Sequence, residues 1–224
     1  MKRGYCDLAV FKRGVVGRCF FVLLVGTGLF LGCTSREELP LPKQSVVLVL
    51  GDSISAGHGL SSEQSWVAHL EPLTGWSLVN AGVSGDTTRQ GRARLSGLLE
   101  EYRPAAVIIE LGGNDMLRRL PVKDTTDTLA AMITEVRAAG ARPVLMAIPA
   151  PSVAGAAFGS LSDADFYAEL AERQKVPLID DVVSDVLSDA SLKLDQLHPN
   201  AAGHRQLASR TADKLRRIGL LAKR

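Results

Sequence analysis

Cysteine is nearly absent from this chain, and the three it has, Cys6, Cys19 and Cys33, all stand in the first 33 of 224 residues. The remainder has no material for a disulfide framework or a zinc–thiolate site. A membrane-length apolar run is missing from the leader: residues 19–31 give about 13 apolar-rich positions where a spanning helix takes about 20. The chain also lacks a charge excess in its main part. Its formal charge is +2, but Lys2, Arg3, Lys12, Arg13 and Arg18 against Asp7 put the basic residues ahead of that run, and without these six the balance is about −2. That argues against a nucleic-acid face. No G-x-G-x-x-G or P-loop follows the first apolar run, which removes the nucleotide-binding reading, and Gly51-Asp52-Ser53-Ile54-Ser55 does not satisfy G-x-S-x-G. His58, His69 and His204 have no acid or second histidine at a metal-binding sequence spacing, so no metal is expected and the three are placed in loops or on helix surfaces.

What is present suits a globular protein: 46% apolar and 22% charged residues in a length typical of one domain. The basic stretch followed by the short apolar run has the form of an export signal over residues 1–33, implying a periplasmic location. It ends Leu29-Phe30-Leu31-Gly32-Cys33, which resembles a bacterial lipobox except that Phe30 departs from the usual leucine. Lipidation of Cys33 would anchor the protein to a membrane; an ordinary cleaved signal and an uncleaved anchor are the alternatives. Residues 34–44, polar and bearing Pro40 and Pro42, read as a tether, and residues 45–224 as the domain, with no internal repeat.

Within the domain, residues 45–50 (SVVLVL) are continuously apolar and β-branched, the pattern of a strand covered on both faces. Similar runs at 77–80, 105–111, 143–148 and, more weakly, 176–179 alternate with segments long enough for helices at 63–73, 87–102, 124–139, 163–174 and 200–218. In the helix at 124–139, Leu129, Met132, Ile133 and Val136 share a face, with Asp124 or Thr125 as cap. The alternation predicts an α/β fold, a five-stranded parallel sheet in a three-layer α/β/α domain. In such sheets ligands bind beyond the carboxyl ends of the strands.

Three polar clusters follow strands. Gly51-Asp52-Ser53 allows a tight turn with the serine hydroxyl near the sheet edge. The segment 80–87 (NAGVSGDT) offers free backbone N–H groups, with Gly85 leaving the approach open. Gly112-Gly113-Asn114-Asp115 sets an amide where it can donate to a developing oxyanion. Near the C-terminus, Asp195-Gln196-Leu197-His198-Pro199 spaces a carboxylate three residues from an imidazole, close enough to orient it. Taken singly, each is what an ordinary capped turn also uses. Together and in this order, they resemble the GDSL, or SGNH, hydrolase family. The stretches GDSISAGHGL, NAGVSGDTTRQGRARL, ELGGNDMLR and HPNAAGH are most similar to its bacterial periplasmic thioesterase I/lysophospholipase L1-type esterases.

The resemblance implies a flavodoxin-like sheet, no cofactor, and hydrolysis of acyl esters, thioesters or lysophospholipids by a monomer. It makes Ser53 the nucleophile, His198 and Asp195 its triad partners, and the Ser53 N–H, the Gly85 N–H and the Asn114 side chain the oxyanion hole. Residues 116–123 and 150–160 are expected to shape the acyl site, and His58, five residues after Ser53, to stand near its entrance. A carbohydrate O-deacetylase with the same groups, or a lipoprotein that binds lipid or cell wall without turnover, are the rival readings.

Overall fold

A computed structural model describes residues 39–223 except 153, 154 and 156–158. The expected export signal, the lipidation candidate Cys33 and the start of the tether lie outside the described residues. Leu41, within the expected tether, is buried, and its N–H donates to Leu220 O at 2.8 Å, so residues 39–44 lie against the domain.

The five apolar runs form one parallel sheet: β1 (Val46–Gly51), β2 (Ser77–Gly82), β3 (Ala106–Glu110), β4 (Arg142–Met146) and β5 (Leu178–Ile179). Their spatial order is β2-β1-β3-β4-β5. Val47–Leu50 and all of β3 are buried, which explains their unbroken apolar sequence, whereas the edge strand β2 is partly exposed. Between the strands lie α1 (Ser53–Ala56), α2 (Trp66–Thr74), α3 (Thr88–Tyr102), α4 (Gly113–Leu117), α5 (Val122–Ala138), α6 (Phe166–Gln174), α7 (Val182–Ser188) and α8 (Ala201–Arg217). Helix α3 packs on α5 and α5 on α6, while α2 and α7 pack on α8, giving the outer layers of the expected α/β/α arrangement.

Helix boundaries move for local reasons. The helix expected from residue 63 begins instead at Trp66, because Ser65 caps it by accepting from the Ala68 N–H at 3.2 Å and a 3₁₀ turn (Ser62–Gln64) precedes it. Helix α5 starts after Pro121, and Thr125 is drawn to Asp115 at 3.4 Å rather than serving as cap. His204 is not on a helix surface: it is completely buried, and its Nδ1 accepts from the Trp66 N–H at 3.0 Å, joining α8 to the first turn of α2.

Candidate active site

All the expected polar clusters meet at the carboxyl edge of the sheet, beside the point where order reverses between β1 and β3. Ser53 opens α1 directly after β1, with Asp52 capping the helix through the Ile54 N–H at 3.0 Å. The Asp195–His198 segment is an Asx turn rather than a helical one. Asp195 Oδ1 accepts from the Leu197 and His198 N–H groups at 2.7 and 2.8 Å, and Asn200 then caps α8. This fixes the carboxylate beside the imidazole: His198 Nδ1 lies 2.8 Å from Asp195 Oδ2, and Nε2 lies 3.0 Å from Ser53 Oγ. With the Nδ1 proton on the Asp195 side, Nε2 is the acceptor facing the hydroxyl.

Two of the three expected oxyanion donors are available. Neither the Ser53 N–H nor the Gly85 N–H has an acceptor among the described residues. Gly85 holds φ +84°, a conformation that favours glycine, and its carbonyl accepts from Arg118 at 2.7 Å. The third donor, Asn114 in α4, is occupied: Nδ2 donates to Asp52 Oδ2 and to Asp86 O, each at 3.0 Å. The turn that delivers it needs Gly112, since a Cβ there would come within 2.3 Å of Tyr167 Oη, and that hydroxyl donates to Leu111 O. Asp115 ties the turn to α3 by accepting from the Thr88 N–H and hydroxyl at 2.8 and 2.6 Å.

Beneath the turn are two buried acids that the sequence reading had not assigned. Burial pushes Asp52 up to about 6, against the lowering effect of the Ile54 N–H and the His198 charge. Glu110, at the end of β3 and paired in register with Gly51, is fully buried, and its carboxyl is held well above the usual range by burial and then by Asp52. Ser55 Oγ donates to it at 2.5 Å. For Asp195 the burial effect, which alone would raise it, is outweighed by the hydrogen bonds from His198 and Leu197, so it stays below the ordinary carboxylate range and ionised at neutral pH.

Ser53, Gly85, Asn114 and His198 all line one cavity of about 790 Å³. Ile148, Pro149, Leu161 and Leu187 give it an apolar side, and Leu117, the last residue of α4, and Arg119, just beyond it, also line it. Both stretches expected to shape the site therefore supply walls, although part of 150–160 lies outside the described residues. His58 lines the cavity too, with its ring centroid 4.3 Å from that of His198 and a 31° tilt. The expectation that no histidine has metal-competent neighbours is thereby corrected, because His58, His198 and Asp195 each offer a ligand atom within 4.8 Å of the others. Folding brings together what sequence spacing keeps apart. The donors are already engaged, however: Nδ1 of His198 with Asp195, and Nε2 with Ser53.

The family model described as GDSL-like lipase/acylhydrolase matches residues 49–206, most of the chain. The chain belongs to this family. This GDSL hydrolase is 40% identical over 159 residues to the thioesterase 1/protease 1/lysophospholipase L1 of Escherichia coli K12, covering 69% of the chain and 75% of the relative. It is 38% identical over 175 residues to an arylesterase of Vibrio mimicus, covering 75% of the chain and 87% of the relative. The crystal structure of TesA superposes with a TM-score of 0.69 at 35% identity, covering 78% of this chain and 99% of that one. The protein is an ester or thioester hydrolase with the three-layer fold of that family.

Proposed function

We propose that this GDSL hydrolase works through an acyl-enzyme on Ser53, with His198 as general base and acid and Asp195 orienting the imidazole. The observation that carries the reading is the 3.0 Å approach of Ser53 Oγ to His198 Nε2 beside two N–H groups without acceptors. His198 takes the hydroxyl proton as Oγ attacks the acyl carbonyl, and the Ser53 and Gly85 N–H groups receive the oxyanion. Asn114 joins them when it gives up or shares one of its two present acceptors. The imidazolium then protonates the leaving alcohol or thiol as the acyl–oxygen or acyl–sulfur bond breaks. Water repeats the sequence on the acyl-serine and releases the acid. The Ser53, Asp195 and His198 roles agree with those the family resemblance implies.

The apolar side of the cavity favours acyl chains longer than acetyl. A fluorophosphonate probe should label the purified protein and fail to label Ser53→Ala, and p-nitrophenyl esters from acetyl to palmitoyl should be cleaved best at medium or long chain length. Activity confined to acetyl would turn the assignment to a deacetylase. Absence of both labelling and turnover in a folded protein would leave the binding-protein reading.

A further inference from the structure

Among the described residues, Arg119 is the lone lysine or arginine lining the catalytic cavity. The lone carboxylate in that lining, Asp52, is buried and already accepts from the Ile54 N–H and from Asn114, so it does not neutralise the guanidinium. The neighbouring cation differs: Arg118 is spent on Gly85 O at 2.7 Å and Gln90 at 3.5 Å. The Arg119 side chain makes no hydrogen bond or ion pair among the described residues. Ala150, Pro151 and Ser152, which line the same cavity, have no ionisable side chain to offer it.

The backbone fixes where Arg119 leaves the end of α4. Its φ is +55°, in the left-handed region, where it closes the end of α4 with its N–H on Met116 O at 3.0 Å while Leu120 N–H reaches Asp115 O at 2.9 Å. Glycine is the default residue for that cap because it has no Cβ to strain. Arg103 and Lys175 close α3 and α6 in the same left-handed region, at φ +41° and +51°, so the cap sets where Arg119 leaves the backbone and its place in the cavity lining is what distinguishes it.

We propose that Arg119 is the anion receptor of this site, holding a carboxylate or phosphate group of the acyl donor while the ester lies over Ser53. The assignment rests on the hydrolase reading above and adds a substrate class to it: amphiphilic acyl donors with one negative group. A planar guanidinium forks onto either oxyanion through two parallel N–H bonds; Arg119 is exposed, so that contact is open to water and to screening by salt. Nothing covalent happens at Arg119; it acts through placement of the substrate.

The test uses the purified full chain and two matched pairs of substrates, with kcat/KM as readout. One pair is the p-nitrophenyl ester of hexanoic acid and the mono-p-nitrophenyl ester of adipic acid, which carries its carboxylate on the acyl chain. The other is a monoacylglycerol and the same compound with a 3-phosphate, which carries its charge on the leaving group. Arg119→Gln should lower the anionic-to-neutral ratio of kcat/KM about tenfold in one pair, and Arg119→Lys should restore part of it. The responding pair identifies the source of the anion. The wild-type ratio should fall between 50 and 500 mM salt. Arg89→Gln, which removes an exposed charge from the start of α3, is the control for bulk electrostatics. An unchanged ratio in Arg119→Gln for both pairs, or an equal change in Arg89→Gln, would overturn the assignment. No turnover of any of the four esters, with Ser53 also unlabelled by fluorophosphonate, would sink the hydrolase reading and this inference with it. Labelling with an unmoved ratio sinks the inference alone.

Discussion

Asn114 has two amide protons and two acceptors, Asp52 Oδ2 and Asp86 O, so a third acceptor on the substrate competes for a donor already in place. Removing the amide by Asn114→Ala should lower kcat by about 10²–10³ on a p-nitrophenyl ester, with unfolding by urea checking that the protein still folds. Near-wild-type kcat would take Asn114 out of the oxyanion site. Asp52→Asn should cost less, about tenfold, because the Ile54 N–H and Asn114 meet different oxygens of Asp52, Oδ1 and Oδ2, and an amide keeps only one of the two. The buried Asp52 carboxyl, raised from 3.8 to about 6, contributes stability that is complete below pH 3.8 and lost as pH rises through about 6; its ionised form at neutral pH is a cost carried by the site. At this scale the positions of Ser53, Gly85, Asn114, Asp195 and His198, which the fold brings to one sheet edge, were legible because they fall in four polar clusters, Asp195 and His198 sharing one. Asp52 and Glu110 were not, since their effects depend on the Gly51–Glu110 register. The available signal was a lone glutamate at the end of the apolar run AVIIE.

His204 shows how an element boundary can be fixed by a distant residue. Its imidazole caps the first turn of α2 from α8, in an interior that holds it neutral down to about 4 instead of 6.5, chiefly through burial and then through His69 and His198. The sign follows from linkage. A histidine whose folded value is depressed binds its proton more readily when unfolded, so the stability present above pH 6.5 drains away as pH falls toward 4. The loss over that window reaches about 3 kcal/mol if the folded state stays intact. Urea unfolding of the wild type at pH 7.5 and 4.5 should show it, and His204→Gln should be less stable at pH 7.5 but flatter between the two. An unaltered pH dependence in the variant would assign the acid sensitivity elsewhere. Strand positions were readable because β1 and β3 are covered on both faces, and α3 and α8 begin within one residue of their expected starts; the starts of α2 and α5 differ because Ser65 and Pro121 set them locally and His204 reaches across to α2.

On the scale of the molecule, the alternation of apolar runs and helical segments announced a parallel α/β sheet, but not how far toward the N-terminus the packed domain extends. Leu41 settles that point in the fold, being 7% exposed and bonded to Leu220. Leu41→Ala should destabilise the protein by about 2–3 kcal/mol in urea unfolding, whereas a residue in a free tether would change stability by less than about 0.5 kcal/mol. The same large-scale wiring bears on when the enzyme comes into being. Ser53 and His198 are 145 residues apart, and the helix behind His198 packs on α2 and α7. A chain interrupted between residues 53 and 195 owns the Ser53 hydroxyl and lacks both Asp195 and His198. On the proposed mechanism, then, a growing polypeptide has no assembled acyl-cleaving centre until residues 195–198 and the helix behind them have emerged and docked. On that mechanism, the order of residues alone holds back hydrolysis while the chain is being made.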